Sequence, residues 1–340
     1  MKSIFNKMFL IALSIGFINL SLAGCRKTTQ EVPDKLVYRL KWLFNISVVG
    51  DLWADVNGHF KENGLSVTVK PGGPEKDAIK ELELGHAHFG VASADQVIRA
   101  LSKGSPVVVL AQLFQANPMQ WIYRPEKTRI ESPRDLKGKV IGVTFGGNDE
   151  TIMKALLAKF GIGKDEVELF SVRYDYTPFY QDEVDLWPVY RNAEGVVIAE
   201  KLRRAGVRID FFNPDTAGIE FVANSVITTK DFMEQYSETV GKFMDALLTA
   251  WTQALDPANS NDAVGLVNKF DRDTPAGIIA QQLEVTRQMI YPSGGYVSVG
   301  ERLGQIDLNA WKQTEKIMLD QNLIPQTVNI ERRLYPEFAE

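Results

Sequence analysis

Aromatic, amide and carboxylate side chains recur in this sequence where strand-like runs give way to loops. Trp42-Leu43-Phe44-Asn45 closes the first such run, Ser93-Ala94-Asp95 follows another, and Phe145-Gly146-Gly147-Asn148-Asp149-Glu150 leads from a strand into a helix. Trp187-Pro188-Val189-Tyr190-Arg191-Asn192-Ala193-Glu194 gathers two aromatics and several polar groups at one strand-to-helix junction, with Tyr174 and Tyr176 in the loop before it. A Trp face offers stacking to a flat ligand, and an Asn side chain both donates and accepts hydrogen bonds. A bare Gly-Gly turn at a helix N-terminus invites an anion. Here Asp149 and Glu150 fill the first turn and would repel a sulfonate or phosphate, so the pattern favours a neutral or amino-bearing ligand. The candidate ligand-binding set is therefore Trp42, Asn45, Ser93, Asp95, Asn148, Glu150, Trp187, Tyr190 and Glu194. Each has a plain structural alternative. Trp42 reads equally as core, and Ser93 or Asp95 as a helix N-cap. The two acids of the 148–150 turn also read as partners of the helix dipole, and the 187–194 junction as a packed strand end.

Chemistry of other kinds has little to stand on. The sequence holds no Gly-x-Ser-x-Gly elbow, no His-Glu-x-x-His and no glycine-rich phosphate loop ending in Lys-Ser or Lys-Thr. Of the three histidines, His86 and His88 are spaced to share one face of a strand, but no Cys or further His stands near to complete a metal site. They read as polar residues at a strand start. No catalytic residue, metal or cofactor is expected.

The elements that would position the candidate residues alternate in type. Leu36–Leu43, Leu65–Lys70, His88–Ala92 and Val107–Leu113 read as strands, with helices over 48–63, 76–84 and 95–102 between them. This βαβαβ order predicts an α/β fold with mostly parallel sheets. The pattern restarts after Ser132-Pro133-Arg134-Asp135-Leu136-Lys137-Gly138-Lys139. Strands are expected at 140–143, 167–172, 186–190 and 208–212, and helices at 149–160 and 194–205. Pro188 places the 186–190 strand toward a sheet edge or a strand end. Beyond Asp231 the chain reads as helical, with Val240, Phe243, Met244, Leu247, Leu248 and Trp251 in one apolar stripe.

The N-terminus has its own logic. Lys2 and Lys7 precede Met8–Leu22, fifteen residues without charge. That is short of the roughly 20 residues of a membrane span and suits a secretory signal. Leu22-Ala23-Gly24-Cys25 follows at once, and Cys25 is the single cysteine of the 340 residues. This stretch resembles the lipobox of bacterial lipoproteins, in which the chain is cut before the cysteine and the sulfur carries a diacylglycerol. The expected organisation is a signal peptide over 1–24, a tether over 25–34, and a folded part exported and anchored to the bacterial cell membrane through lipidated Cys25. Loss of Lys2 and Lys7 with the signal moves the formal charge from −5 to −7, which offers no electrostatic footprint for nucleic acid.

The order of motifs is similar to that of the substrate-binding proteins serving transporters of thiamine pyrimidine precursors. Lys41-Trp42-Leu43-Phe44-Asn45 resembles their opening K-W-x-x-N strand. Gly72-Gly73-Pro74, Gly85-His86-Ala87-His88-Phe89-Gly90-Val91, Gly104-Ser105-Pro106-Val107-Val108 and Tyr335-Pro336-Glu337-Phe338 follow in the same order. The resemblance implies a type II periplasmic-binding-protein fold, two α/β lobes joined by a two-crossover hinge, with a small-molecule ligand in the cleft and an ABC-transporter permease as partner. Mapped onto this chain, one lobe takes 35–121 and 228–340 and the other 122–227, with crossings near Trp121-Ile122-Tyr123 and Val222–Val226. Trp42, Asn45, Tyr190 and Glu194 match family positions, whereas Trp187, Asn148 and Glu150 rest on chemistry alone. The implied ligand is a small aromatic heterocycle such as a formylaminopyrimidine. The same superfamily also holds riboflavin, alkanesulfonate and nitrate binders, and eukaryotic pyrimidine synthases that carry a cysteine-rich iron motif.

Overall fold

The computed structural model describes residues 32–73, 75–173, 175–291 and 303–339. The expected signal peptide, Cys25 and most of the tether, as well as Pro74 and Tyr174, lie outside the described residues. Among the described residues the strands are β1 (Leu36–Arg39), β2 (Val67–Lys70), β3 (Phe89–Ala92), β4 (Val107–Gln112), β5 (Met119–Tyr123), β6 (Val140–Val143), β7 (Glu168–Ser171), β8 (Leu186–Tyr190), β9 (Asp210–Phe212) and β10 (Ser225–Thr229).

They form two five-stranded sheets of the same plan, β2-β1-β3-β10-β4 and β7-β6-β8-β5-β9. In the first, β1 runs parallel to β2 and β3, and β10 enters antiparallel between β3 and β4. In the second, β6 runs parallel to β7 and β8, and β5 enters antiparallel between β8 and β9. Each sheet is thus mostly parallel, as expected, with one reversed strand. The chain passes from the first lobe to the second between Gln112 and Met119, and returns between Phe212 and Ser225.

This revises the expected boundaries. Trp121-Ile122-Tyr123 is not a crossing: it lies within β5, paired across from Pro188-Trp187-Leu186 and from Phe212-Phe211-Asp210. The second crossing ends at Asn224, because Ser225 and Val226 already pair with Ala92 and Val91. Which sheet a strand joins depends on partners far away in sequence, so neither point was legible locally. Pro188 is likewise not on an edge. β8 is a central strand, but it pairs with β6 only at Leu186, so Pro188 falls where that ladder has ended and its missing N–H costs little. The first strand stops at Arg39, ahead of Trp42, and the long helix expected over 48–63 breaks at Gly58, which adopts φ 83°.

The first lobe is built around the apolar stripe of the helix Ser237–Leu255. Val240, Phe243, Met244, Leu247 and Trp251 are all buried, and Phe243 stacks on Phe89 with ring centroids 3.6 Å apart. The Trp251 ring lies so close to Gly50, in the helix Val49–Val56, that a Cβ there would stand 2.0 Å from Cδ2. Only glycine lets these two helices approach this closely. A second apolar cluster draws residues from both lobes, among them Val97, Ile98 and Trp311 from the first and Trp121, Ile141 and Leu156 from the second. No helix of the described residues is long and apolar enough to cross a membrane.

Beneath the first sheet the Tyr38 hydroxyl donates to Asp51 Oδ1 at 2.6 Å, with both residues buried. Burial raises the Asp51 carboxyl to about 7, and the Tyr38 hydrogen bond only partly opposes it. Folded Asp51 therefore keeps its proton where an unfolded aspartate, with its ordinary value of 3.8, has lost it. Between those values the folded state binds more protons, so stability falls as pH rises through that window. We expect Asp51→Asn to flatten the decline, read as the difference in unfolding free energy between about pH 4 and about pH 7 in urea titrations.

Candidate functional site

The carboxyl ends of the parallel strands of both sheets open onto one cavity of about 220 Å³, the place where open α/β sheets present ligands. From the first lobe Lys41, Trp42, Asn45, Ser47 and Gln96 line it; from the second come Thr144 to Asp149, Tyr176, Trp187 to Tyr190, and Glu194. Asn224, the last residue before β10, also reaches it.

Local sequence explains several of these positions. Beyond β1 the chain turns, and Asn45 caps a short 3-10 turn by accepting from Ser47 N at 2.8 Å. That cap fixes the Trp42–Asn45 segment over the cavity. After β6, Gly146 takes φ 84°, and the Asp149 carboxylate reaches back to accept from Thr144 N at 2.6 Å. The loop therefore closes on itself, with Asn148 facing the cavity. Asn148 is 6% exposed, and its Nδ2 has no hydrogen-bond partner among the described residues. A buried donor left unpaired is costly, which makes an acceptor on a bound molecule its natural complement.

Lys41 Nζ donates to the Tyr190 hydroxyl at 2.6 Å, and that hydroxyl lies 3.4 Å from Asn224 Oδ1. The acids of the cavity have shifted carboxyls. Burial raises the Glu194 carboxyl above its ordinary value; the hydrogen bond from Tyr190 N opposes this, and the charge of Asp271 adds to it. Burial likewise raises Asp149 to about 6, against the hydrogen bonds from Thr144. Tyr176 is pushed up by burial and then by the charges of Glu194, Tyr180 and Asp271. Trp187 is 1% exposed: one side packs against Phe179 and Tyr176, and its remaining edge reaches the cavity.

A family profile described as NMT1/THI5 like matches residues 45–260, most of the length that carries both sheets. The chain belongs to the NMT1/THI5-like family. Among its relatives, a formylaminopyrimidine-binding protein of Halalkalibacterium halodurans is 25% identical over 313 residues, covering 88% of this chain and 90% of that one. A Haemophilus influenzae protein named for thiamine biosynthesis is 23% identical over 306 residues, covering 87% and 90%. Of solved structures, the periplasmic aliphatic sulphonate binding protein SsuA from Escherichia coli superposes with a TM-score of 0.69 at 17% identity, covering 89% of this chain and 92% of that one. The likeness to SsuA shows the fold alone: two α/β lobes of the periplasmic-binding-protein type.

In this NMT1/THI5-like chain the cavity gathers Trp42, Asn45, Asn148, Trp187, Tyr190 and Glu194 of the expected set. Ser93, Asp95 and Glu150 are not among its lining residues. The Ser93 hydroxyl lies 2.6 Å from Asp95 Oδ1 and 3.0 Å from Gln96 Oε1, and Ser93 N donates to Gln96 Oε1, which ties off the start of the helix Ala94–Leu101. Glu150 accepts from Gly146 N at 2.7 Å and pairs with Lys154 one turn on. Their sum outweighs burial and holds its carboxyl low. Gln96 and Asp149, one residue on and one residue back, take the places in the cavity wall. Lys41 and Asn224 were absent from the expected set. Lys41 stands in the K-W-x-x-N stretch, whereas nothing around Asn224 marks it. His88 is tied into the sheet, its Nδ1 accepting from Val37 N at 3.0 Å. Ser93→Ala is expected to lower unfolding free energy by about 1 kcal/mol through loss of the cap, with ligand affinity unchanged by calorimetry.

Proposed function

We propose that this chain is the substrate-binding protein of an ABC importer and captures a small aromatic heterocycle, a formylaminopyrimidine-type precursor of thiamine, between its two lobes. The observation that carries this reading is the pairing of aromatic walls with the buried Asn148 Nδ2, unpartnered among the described residues, and the half-buried acid Glu194 in one cavity. A pyrimidine offers flat faces to Trp42 and Tyr190, a ring nitrogen or formyl oxygen to Asn148, and an exocyclic amino group to Glu194. The name of the Halalkalibacterium halodurans relative points to the same ligand class. A cavity of about 220 Å³ suits one substituted ring better than a tricyclic flavin. Its two acids, buried Asp149 and half-buried Glu194, oppose a nitrate or sulfonate. The reaction of a cysteine-rich iron synthase has no counterpart here, because Cys25 is the only cysteine. Capture requires no bond-making step: closure of the lobes would bury the ligand, and the closed form would be presented to the permease.

Export and tethering complete the reading. The uncharged run before Leu22-Ala23-Gly24-Cys25 supports cleavage ahead of Cys25 and its lipidation. A diacyl anchor holds where one chain would not.

Isothermal calorimetry with a formylaminopyrimidine should show saturable binding, and Asn148→Leu or Glu194→Gln should each weaken it by roughly 10- to 100-fold with little change in melting temperature. Affinity should rise with pH as Glu194 ionises, and do so above the ordinary carboxylate range because burial raises that group. Glu194→Gln should remove the part of this dependence that Glu194 contributes, leaving that of Asp149 near pH 6. A preference for taurine-like sulfonates or riboflavin, or turnover of the ligand, would refute the proposal. Separately, Cys25→Ser should move the protein from the membrane fraction to the soluble one after cell fractionation.

A further inference from the structure

Directly behind the cavity, the two lobes meet through a small polar contact that no ligand group is needed to make. Asn192 follows β8 in the second lobe and is 0% exposed. Its amide nitrogen donates to Ser47 Oγ at 3.1 Å and to Thr286 Oγ1 at 2.9 Å. Both acceptors belong to the first lobe: Ser47 in the turn that Asn45 caps, Thr286 in the helix Ala276–Ile290. One turn earlier on that helix, Gln282 Nε2 donates to the carbonyl of Ala193 at 3.0 Å, and Gln282 is 2% exposed. Three buried hydrogen bonds thus run between the lobes within two adjacent residues of the second.

The contact is balanced rather than saturated. Asn192 Oδ1 and Gln282 Oε1 are both buried and have no partner among the described residues. In an open form water would satisfy them. At this contact closing gains three hydrogen bonds and strands two acceptors, so its own net contribution to closure is small. Buried polar contacts of this kind act as a two-way element that a modest ligand contribution can tip. The contact also shares its chain with the site, since Tyr190 and Glu194 flank Asn192 and Ala193, while Ser47 itself lines the cavity.

We propose that Asn192 is a latch. Its amide holds the lobes shut across Ser47 and Thr286, and so sets ligand affinity without touching the ligand. Asn192 is a positioning residue in this sense. Its link to affinity rests on the two-lobe capture proposed above; its link to closure does not.

The test uses the full chain in detergent, with dyes on cysteines introduced by Lys103→Cys in the first lobe and Arg204→Cys in the second, both exposed positions. In the ligand-free protein, Asn192→Leu should change the energy-transfer efficiency toward the value of an open form, while the melting temperature stays within a few degrees. Loss of two hydrogen bonds should weaken binding of a formylaminopyrimidine by about 10- to 30-fold. Thr286→Val removes one acceptor with little change of shape, and should give a smaller shift of the same sign even if Asn192→Leu fails to fold. Unchanged transfer efficiency in both variants overturns the latch. A shifted efficiency with no formylaminopyrimidine binding by any form supports the latch and refutes the ligand reading instead. A shifted efficiency with ligand affinity equal to wild type overturns the link between closure and affinity.

Discussion

β10 enters the first sheet antiparallel, with Ser225 opposite both Ala92 and Gln112, and β5 enters the second sheet in the same way, with Trp121 opposite both Pro188 and Phe212. Each of these strands is the first element after the chain has crossed from the other lobe. Because hydrogen bonds on both sides fix each one, the two lobes can be neither built nor separated independently. The twin sheets then turn their carboxyl ends toward each other, and the cavity is the space they leave. Every lining residue owes its place to this exchange, including Asn224, which sits at the last step before β10.

Within that frame the cavity is an uneven environment. Burial raises Asp149 and Glu194, and Asn148 Nδ2 has no partner among the described residues. The same loop shows how finely chain position decides function. Asp149 and Glu150 are adjacent, yet one curls back to Thr144 within the cavity wall and the other pairs with Lys154 outside it. The successive side chains of a helix point about 100° apart, so two neighbouring acids can end on different surfaces.

The polar contact of Asn192 and Gln282 stands apart from the apolar cluster shared by the two lobes. The shared cluster, with Trp121, Ile141 and Trp311 fully buried, resembles an ordinary core. A contact of a few amides and hydroxyls is different in kind. Its partners can be exchanged for water at small net cost, which is the property a reversible closure requires.

The sequence by itself determined the elements and their chemistry. A period-two run marked β2 and a continuous apolar run marked β4, the period-3.6 stripe from Val240 to Trp251 marked the central helix, and the junctions at Trp42, Asn148 and Trp187–Glu194 were visible as aromatic and polar residues at strand ends. These signals are local, and local spacing is enough to read them. The motif order from Lys41-Trp42 to Tyr335-Pro336 was enough to place the family. Tertiary structure alone decided which sheet Met119–Tyr123 joins, that Pro188 lies in a central strand, and that Ser93 and Glu150 satisfy their own helices while Asp149, Lys41 and Asn224 face the cavity. The sheet pairings depend on residues tens of positions apart, and the choice between Asp149 and Glu150, though made by local hydrogen bonds, depends on which way the folded loop faces. Asn192 makes the point most plainly: its two acceptors lie 145 residues before it and 94 after it, and nothing in the residues around it names either one.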